Sequence, residues 1–500
     1  MSRSLNRLRT PGTWIDVEDV SSEDRAARNQ FRHSLAARPT IQATCPARLQ
    51  RAAIDPPGAT GSGKMALEPL VMPNNGGRMH ALKPDPYVSR RDLIKAAAGA
   101  GLIFATGGNA AAGAAELAPI TGAAKAITPG EREARIRRAQ KLMGIHGLSA
   151  IAIEPGASLD YFTGVQWRRS ERATLAMIPA EGPVGFIVPR FEEGSIREML
   201  QVPADVRVWE EDGDPYVLAK RWLDDRKLGS GRVAVEETVR HFLVEGLNKV
   251  IAGPPVTSAA PVVRACRMIK SPAELDLLKA AADVMVAAYR HTHPQVRGGM
   301  TPSDIASIVN GAVTALGGNP TFALILVGEA SAYPHGIKAA HAVRDGDIVL
   351  MDCGCEVGGY QADVSRTFVF GTPSALQRKV WDQVYHGQQV AFGTAKAGVA
   401  AGKVDEAVRA YYHSIGYGSN FEAPGLTHRT GHGIGLDVHE PINLVRGERA
   451  SLAPGMCFSN EPGIYIPGSF GVRIEDCFYV TPEGPHWFST PPTSLDQPMG

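Results

Sequence analysis

Two aspartates lie on the two arms of a predicted β-hairpin, where their carboxylates could share a metal ion. The apolar residues 348–351 form a strand that ends in Asp352, a glycine-containing reversal follows, and the next strand carries Asp363. Two carboxylates at the same end of a hairpin can converge, and such like charges repel each other unless a cation lies between them. The hairpin is therefore predicted to form half of a metal site.

Three downstream segments, residues 428–440, 455–468 and 470–480, share this chemistry. They place His432, Glu461 and Glu475 beside glycine or at the end of a short apolar strand. With the two aspartates, the set offers four carboxylates and one imidazole. Such an oxygen-rich set suits two divalent ions of the manganese, iron or cobalt kind, with zinc less preferred, because a structural zinc site favours thiolates.

The segments PHGIKAAHAVRDGDIVLMDCG, GGYQADVSRTF, THRTGHGIGLDVHE, NEPGIY and GVRIED resemble the metallopeptidase family of methionine aminopeptidase, prolidase and aminopeptidase P (family M24). All five metal-ligand positions of that family are filled in order, and the likeness covers the C-terminal half of the chain. An α/β domain of the size found here precedes the catalytic domain in the prolidase, aminopeptidase P and creatinase branch. Methionine aminopeptidases usually lack it, which argues against that branch.

The resemblance implies a distinct task for each ligand. Asp352 is expected to bind one ion alone, Asp363 and Glu475 to bridge both ions, and His432 and Glu461 to hold the second. The cofactor is thus expected to be two divalent ions, manganese first, with cobalt, iron or zinc as alternatives. In such a site the metal pair activates a water for attack on the scissile carbonyl.

The resemblance also implies the groups that act on the substrate. Glu461 is expected to carry a proton to the leaving nitrogen. His335 and His439 match histidines that contact substrate and stabilise the oxyanion. Arg473, and less strongly Tyr360, are candidates for positioning the substrate. For His428 we expect only support of its loop, and for His341 no role is predicted.

Two domains must position these residues. Residues 128–264 alternate between helices and short apolar strands, which predicts an α/β domain; the resemblance implies the ribonuclease H-like N-terminal domain of creatinase and prolidase. Residues 265–490 begin with a capped helix at Ser271 and continue as helices around antiparallel strands, which predicts an α+β domain. The resemblance implies the pita-bread fold for this catalytic domain.

The first hundred residues have a different character. Residues 1–78 show no apolar period and are expected to be disordered or not translated, with Met79 as the start. Residues 79–115, which contain Arg90-Arg91, a mild apolar run and small-residue cleavage sites, resemble a twin-arginine export signal. The enzyme is therefore expected in the periplasm.

Composition excludes several other classes of protein. The formal net charge is +1, which argues against a nucleic-acid partner, and the chain has no apolar run of transmembrane length, so no stable membrane anchor is expected. The six cysteines form no CxxC pair and indicate no disulfide framework.

The expected function is metal-dependent hydrolysis of the peptide bond before proline, as an Xaa-Pro dipeptidase or an Xaa-Pro aminopeptidase, and the resemblance implies a homodimer. An alternative keeps the fold but acts on a small non-peptide substrate, as an ectoine-type hydrolase or a dimethylsulfoniopropionate lyase. A non-catalytic peptide-binding module is less compatible with five intact ligand positions.

Overall fold

The computed structural model describes residues 117–338 and 341–500. The segments at 1–78 and 79–115, with the expected export signal, lie outside the described residues. Within the described part, no helix is both long and apolar enough to cross a membrane. The expected order of an α/β domain followed by an α+β domain is confirmed.

The N-terminal domain is built on a six-stranded mixed sheet in the order β4-β3-β2-β1-β5-β6. Its strands are β1 Ala150–Ile153, β2 Leu175–Pro179, β3 Val184–Pro189, β4 Ala204–Trp209, β5 Val233–Val235 and β6 Thr257–Ser258. Its helices are α1 Pro129–His146, α2 Ala157–Thr163, α3 Glu193–Met199, α4 Pro215–Asp225, α5 His241–Val250 and α6 Ala260–Arg267.

Both faces of the inner strands β1, β2, β3 and β5 are buried, as their continuous apolar sequences predict, whereas the edge strands β4 and β6 are more exposed. Ile151 and Ile153 of β1 pack with residues of α1, α2 and α6. Ala150 and Ala152, which point to the opposite face, pack with Trp222 and its neighbours from α4 and α5. Helices therefore cover the sheet on both sides.

The C-terminal domain begins with the expected capped helix. In α7, Pro272–Thr292, the Ser271 side chain accepts from the Glu274 amide while the Glu274 carboxylate accepts from the Ser271 amide. The other helices of this domain are α8 Pro302–Ala315, α9 Ala375–Thr394 and α10 Ala401–Ser414.

The predicted hairpin is part of a three-stranded antiparallel sheet of β7 Asn319–Val327, β8 Ile348–Val357 and β9 Tyr360–Val369. The expectation that the first strand ends in Asp352 is wrong, because β8 pairs with β7 on one side and β9 on the other and continues for ten residues. The reversal is confined to Gly358 and Gly359, both with positive φ.

The register explains why the two aspartates share a face. Asp352 lies opposite Ser365, and Gly354 lies opposite Asp363, so both carboxylates leave the same side of the sheet, two residues apart. The intervening Cys353 points to the other side, into the hydrophobic core.

The remaining strands complete the site. A five-stranded sheet has the order β11-β10-β12-β15-β16, and a two-stranded ribbon is formed by β13 and β14. An antiparallel bridge between Ser365 and Glu475 joins β9 to the segment between β14 and β15. Their bounds are β10 Gly431–Gly433, β11 Glu440–Leu444, β12 Cys457–Asn460, β13 Gly463–Ile466, β14 Phe470–Arg473, β15 Asp476–Thr481 and β16 Gly484–Trp487.

Candidate metal centre

The structure brings all five sequence-predicted ligands together. Asp352 lies on β8, Asp363 on β9 and His432 on β10, Glu461 directly follows β12, and Glu475 lies between β14 and β15. Because each side chain projects from a strand or from the residue next to one, the sheets fix its position rather than a long loop.

The ligand atoms form overlapping groups of three. One group contains Asp352, Asp363 and Glu475, and another contains His432, Glu461 and Glu475, each with its atoms within 4.8 Å of one another. The third contains Asp363, His432 and His439. Asp363, His432 and Glu475 each belong to two of these groups, so the three groups form one continuous cluster.

Short distances connect the two sides of the cluster. The His432 Nε2 atom lies 3.4 Å from Asp363 Oδ2 and 3.5 Å from Glu461 Oε1. The Ser365 hydroxyl donates to Glu475 Oε2 at 2.8 Å. The second Glu475 oxygen is left for another partner.

Buried oxygens without partners show that the site suits cations. Asp352 Oδ1, Asp363 Oδ1 and Glu475 Oε1 are all buried and accept no hydrogen bond from the residues that the structure describes. A buried carboxylate oxygen without a donor is costly, and metal coordination is one of the few arrangements that offset this cost. The residues present therefore fit a pair of divalent ions.

Electrostatics leads to the same conclusion. Burial, followed by the charges of Asp363, Glu461 and Asp352, raises the pKa of Glu475 well above its usual range. Burial disfavours protonation of His432, but its hydrogen bond to Asp363 and the charge of Glu461 outweigh this and raise its pKa. The cluster carries more negative charge than the protein around it compensates.

Arg473 is held by the protein rather than left free for substrate. Its guanidinium donates to Asp352 Oδ2 at 2.5 Å, Tyr465 Oη at 2.9 Å, Ser365 Oγ at 3.0 Å and the Pro334 carbonyl at 3.2 Å. These contacts orient Asp352 and balance part of the negative charge; Arg473 also lines the cavity, and its contact with substrate stays a prediction.

A cavity of about 590 Å³ opens above the cluster. His335 and His439 both line it, as their predicted roles require, and the rings of His439 and His432 meet edge to face at 4.3 Å. Burial, then the charges of His432 and Arg429, lowers the pKa of His439 to about 4. This imidazole is therefore neutral at pH 7. Apolar walls come from Phe322, Leu324, Pro334 and Val438.

Three other sequence candidates take structural roles. His428 Nε2 hydrogen-bonds to Tyr465 Oη at 2.7 Å, and the side chain also lines the cavity. The Tyr360 hydroxyl is instead committed to Glu274 and Arg135 at the junction of the two domains. His341 pairs with Asp347 at 3.0 Å.

Sequence reasoning missed Arg429, which also lines the cavity. Its Nη1 atom donates to Asn443 Oδ1 at 3.0 Å, and no ion pair links it to any residue in 117–338 or 341–500. The only sequence signal for Arg429 was its position three residues before His432. This signal is weak, because a charged side chain in a glycine- and histidine-rich segment can equally well face solvent.

Residues 276–482 match the model of metallopeptidase family M24, and residues 135–269 match that of the creatinase/prolidase N-terminal domain. The probable dipeptidase PepE of Mycobacterium tuberculosis is 34% identical over 346 residues, 68% of this chain and 89% of that protein. An Xaa-Pro dipeptidase of Lactobacillus helveticus is 32% identical over 336 residues, 65% of this chain and 89% of that protein.

Solved structures give the same picture. The dipeptidase PepE from Mycobacterium ulcerans matches with a TM-score of 0.68 and 30% identity over 74% of this chain and 99% of that one. The prolidase from Thermococcus sibiricus matches with a TM-score of 0.66 and 28% identity over 72% of this chain and 97% of that one.

Proposed function

Since the chain belongs to metallopeptidase family M24, we propose that it hydrolyses the peptide bond before proline in Xaa-Pro dipeptides. The observation that carries this proposal is the convergence of four carboxylates and His432 on the floor of one cavity, with three buried oxygens lacking donors. The relatives named Xaa-Pro dipeptidase and prolidase support the substrate class.

The metal ions are proposed to be manganese, with cobalt, iron or zinc as alternatives, because carboxylate-rich ligand sets suit manganese. Asp352, Asp363, His432, Glu461 and Glu475 would hold them. When bound, such a pair polarises the scissile carbonyl and lowers the pKa of a water to near neutrality.

The chain's own residues handle the substrate and the proton. Glu461, at the cavity wall, carries a proton to the leaving proline nitrogen. His335 and the neutral His439 donate ring N–H groups to the carbonyl oxygen as negative charge develops there. The apolar residues Phe322, Leu324 and Val438 exclude water and pack against the proline ring.

The presence of Arg429 in the cavity supports a dipeptide substrate rather than a longer peptide. A dipeptide ends in a carboxylate one residue beyond the scissile bond, and this charge needs a cation within the cavity. Four of the five N–H donors of Arg473 are committed within the protein, one of them to the Asp352 carboxylate, whereas the described structure assigns Arg429 only the neutral partner Asn443. In a longer peptide the same position is a neutral amide, and the guanidinium would gain no charged partner.

The test uses the full chain loaded with Mn²⁺ and compares Ala-Pro, Ala-Pro-Ala, Ala-Ala and small non-peptide amides. We expect Ala-Pro to be cleaved fastest, and Glu461→Gln to lower kcat by about 100-fold or more. Glu483→Gln, at an exposed carboxylate in the turn between β15 and β16, is the matched control. Turnover of a non-peptide substrate with no Xaa-Pro cleavage would overturn the proposal.

A further inference from the structure

The segment 434–439, here called the histidine loop, connects β10 to β11 and carries His439 to the cavity. His439 is partly exposed and contacts the His432 ring on one side, so the position of its ring depends on the backbone of the loop as well as on that contact. What holds the histidine loop therefore decides where His439 lies.

One buried carboxylate ties the histidine loop together. Glu440 Oε1 accepts from the amide of Leu436 at 3.0 Å and from that of Asp437 at 3.4 Å. The backbone passes so close that a Cβ at Gly435 would lie 2.5 Å from this oxygen. The Glu440 side chain is only 3% exposed, so its charge needs cations.

Those cations come from the end of the N-terminal domain and from the segment that links it to the C-terminal domain. Arg267, the last residue of α6, donates to Glu440 Oε1 at 2.5 Å and to Asp437 Oδ2 at 2.8 Å. Its Nη1 atom donates to Ser158 Oγ on α2 at 2.9 Å. Lys270 completes the cluster with a 2.8 Å contact to Glu440 Oε2.

Because there is space behind the histidine loop, its position depends on these contacts. A second cavity of about 390 Å³ lies on the side of the N-terminal domain and is lined by Ser158, Arg169, Thr238 and Arg267. Val438 and His439 line both this cavity and the one above the metal cluster. Ile434 and Leu436 anchor the start of the histidine loop in the hydrophobic core, whereas its last residues, 437–439, form a thin partition with room on the far side.

We propose that Arg267 is a positioning residue, through which the N-terminal domain holds the histidine loop and aligns His439 with the substrate carbonyl. Without the guanidinium, Asp437 loses its cation, Glu440 keeps only Lys270, and the loop moves into the second cavity. The inference rests on the proposed function for its catalytic readout, but the ordering of the loop can be measured without turnover.

Arg267→Met, close in length and uncharged, is the test variant, and Arg264→Met is the control. Arg264 lies one turn earlier on α6 and pairs with Glu237 at the surface. We expect Arg267→Met to lower kcat on Ala-Pro about 10- to 100-fold with a smaller change in KM, because slight misplacement of a reacting group has effects of this size. Metal content should be unchanged, and Arg264→Met should stay within about twofold of wild type.

A double-mutant cycle distinguishes a loss of His439 positioning from a general loss of protein stability. In a His439→Ala background, Arg267→Met should cost almost nothing further, because its effect passes through His439. Hydrogen exchange of residues 434–440 should rise in Arg267→Met alone. Additive effects, or unchanged exchange, would overturn the inference.

If Arg267→Met does not fold, Ser158→Ala and Arg267→Lys take its place, with a smaller loss of kcat expected from each. Wild-type values from both would count against the inference. A wild-type enzyme that cleaves no Xaa-Pro peptide would contradict the proposed function instead, and the exchange experiment would still judge the role of Arg267.

Discussion

Arg429 and Arg473 line the same cavity, yet only Arg473 is already paired with a carboxylate, that of Asp352. The Arg473 guanidinium donates to Asp352 and to three other oxygens, so removing this side chain would disturb the metal-ligand cluster itself. Arg429 is therefore the residue on which to test recognition of a substrate carboxylate.

Arg429→Met is expected to raise KM for Ala-Pro about 10- to 100-fold, the range of a charge-assisted hydrogen bond of roughly 1.5–3 kcal/mol. The KM for Ala-Pro-Ala should change much less, since its carboxylate lies one residue further on. Steady-state kinetics with both peptides measures the difference. Arg446→Met, at an exposed arginine near Asn420, is the control, and equal effects on the two peptides would contradict the carboxylate assignment.

Glu475→Gln is expected to abolish stabilisation by metal while leaving the metal-free protein nearly as stable as wild type. The pKa of Glu475 is raised by burial and by Asp363, so the neutral amide resembles the form favoured without metal. Wild-type protein should gain about 2.7 kcal/mol at Mn²⁺ concentrations 100 times Kd. Thermal unfolding in chelator and in Mn²⁺ measures this, and a variant whose Tm still rises with Mn²⁺ would show that Glu475 is dispensable for binding.

At the scale of elements, the sequence predicted the shared face of Asp352 and Asp363 but misplaced the turn between them. Gly354 signals a reversal when only β8 and β9 are considered. In the structure it instead accommodates Phe322, which approaches from β7, a strand some thirty residues earlier. A contact of this kind has no local pattern to reveal it.

Contacts between charged residues that lie far apart in the sequence likewise have no local pattern that predicts them. The capping box of α7 was predictable because Ser271 and Glu274 are three residues apart. Arg267 and Glu440 are separated by 173 residues, and only the docking of two domains brings them together. Local sequence therefore predicted the ligand types and their strands, while the contacts that orient them depend on tertiary packing.

Gly354→Ala tests the packing of the hairpin. A Cβ there would lie 2.2 Å from the Phe322 ring and 2.8 Å from the Ala362 carbonyl, so β7 and β9 must shift. We expect a loss of about 1–3 kcal/mol in the free energy of unfolding, measured with urea. Gly393→Ala, on an exposed face of α9 with nothing within 4 Å, should be neutral or stabilising. Equal stability of the two variants would contradict this account of β7.

Low pH should weaken the contacts that Glu440 makes with Arg267 and Lys270 between the two domains. Burial disfavours its charge, but Arg267 and Lys270 outweigh this and lower the pKa of Glu440 to about 2. The pKa of Glu440 in the folded protein lies below its value of about 4.3 in the unfolded chain. The ionised carboxylate therefore stabilises the folded protein fully above about pH 4.3, and this stabilisation is lost as the pH falls towards 2. The contribution is roughly 3 kcal/mol.

Urea unfolding at pH 6, 4 and 3 should therefore show a loss of stability in wild type that is smaller in Glu440→Gln. The variant itself should be less stable at pH 6, because Arg267 and Lys270 then lack their shared carboxylate. Parallel pH curves for the two proteins would mean that Glu440 does not contribute this dependence.

For the whole molecule, the cysteines bear on where folding takes place. The five in the described residues, Cys266, Cys353, Cys355, Cys457 and Cys477, are all free and buried. Burial raises the pKa of Cys457 to about 12, so this thiol stays protonated and unreactive. Proteins that fold in a reducing compartment keep their thiols free, which is compatible both with a cytoplasmic protein and with one exported after folding.

From the sequence of residues 79–115 alone, we propose that the folded protein is exported through the twin-arginine signal at Arg90-Arg91. We expect Arg90→Lys/Arg91→Lys to leave the enzyme in the cytoplasm, while the wild-type protein appears in the periplasm and begins near residue 116. A thiol reagent should label that mature protein only after denaturation, and then at five positions. Export that survives loss of both arginines, or a disulfide in the mature protein, would show that the chain crosses the membrane before it folds.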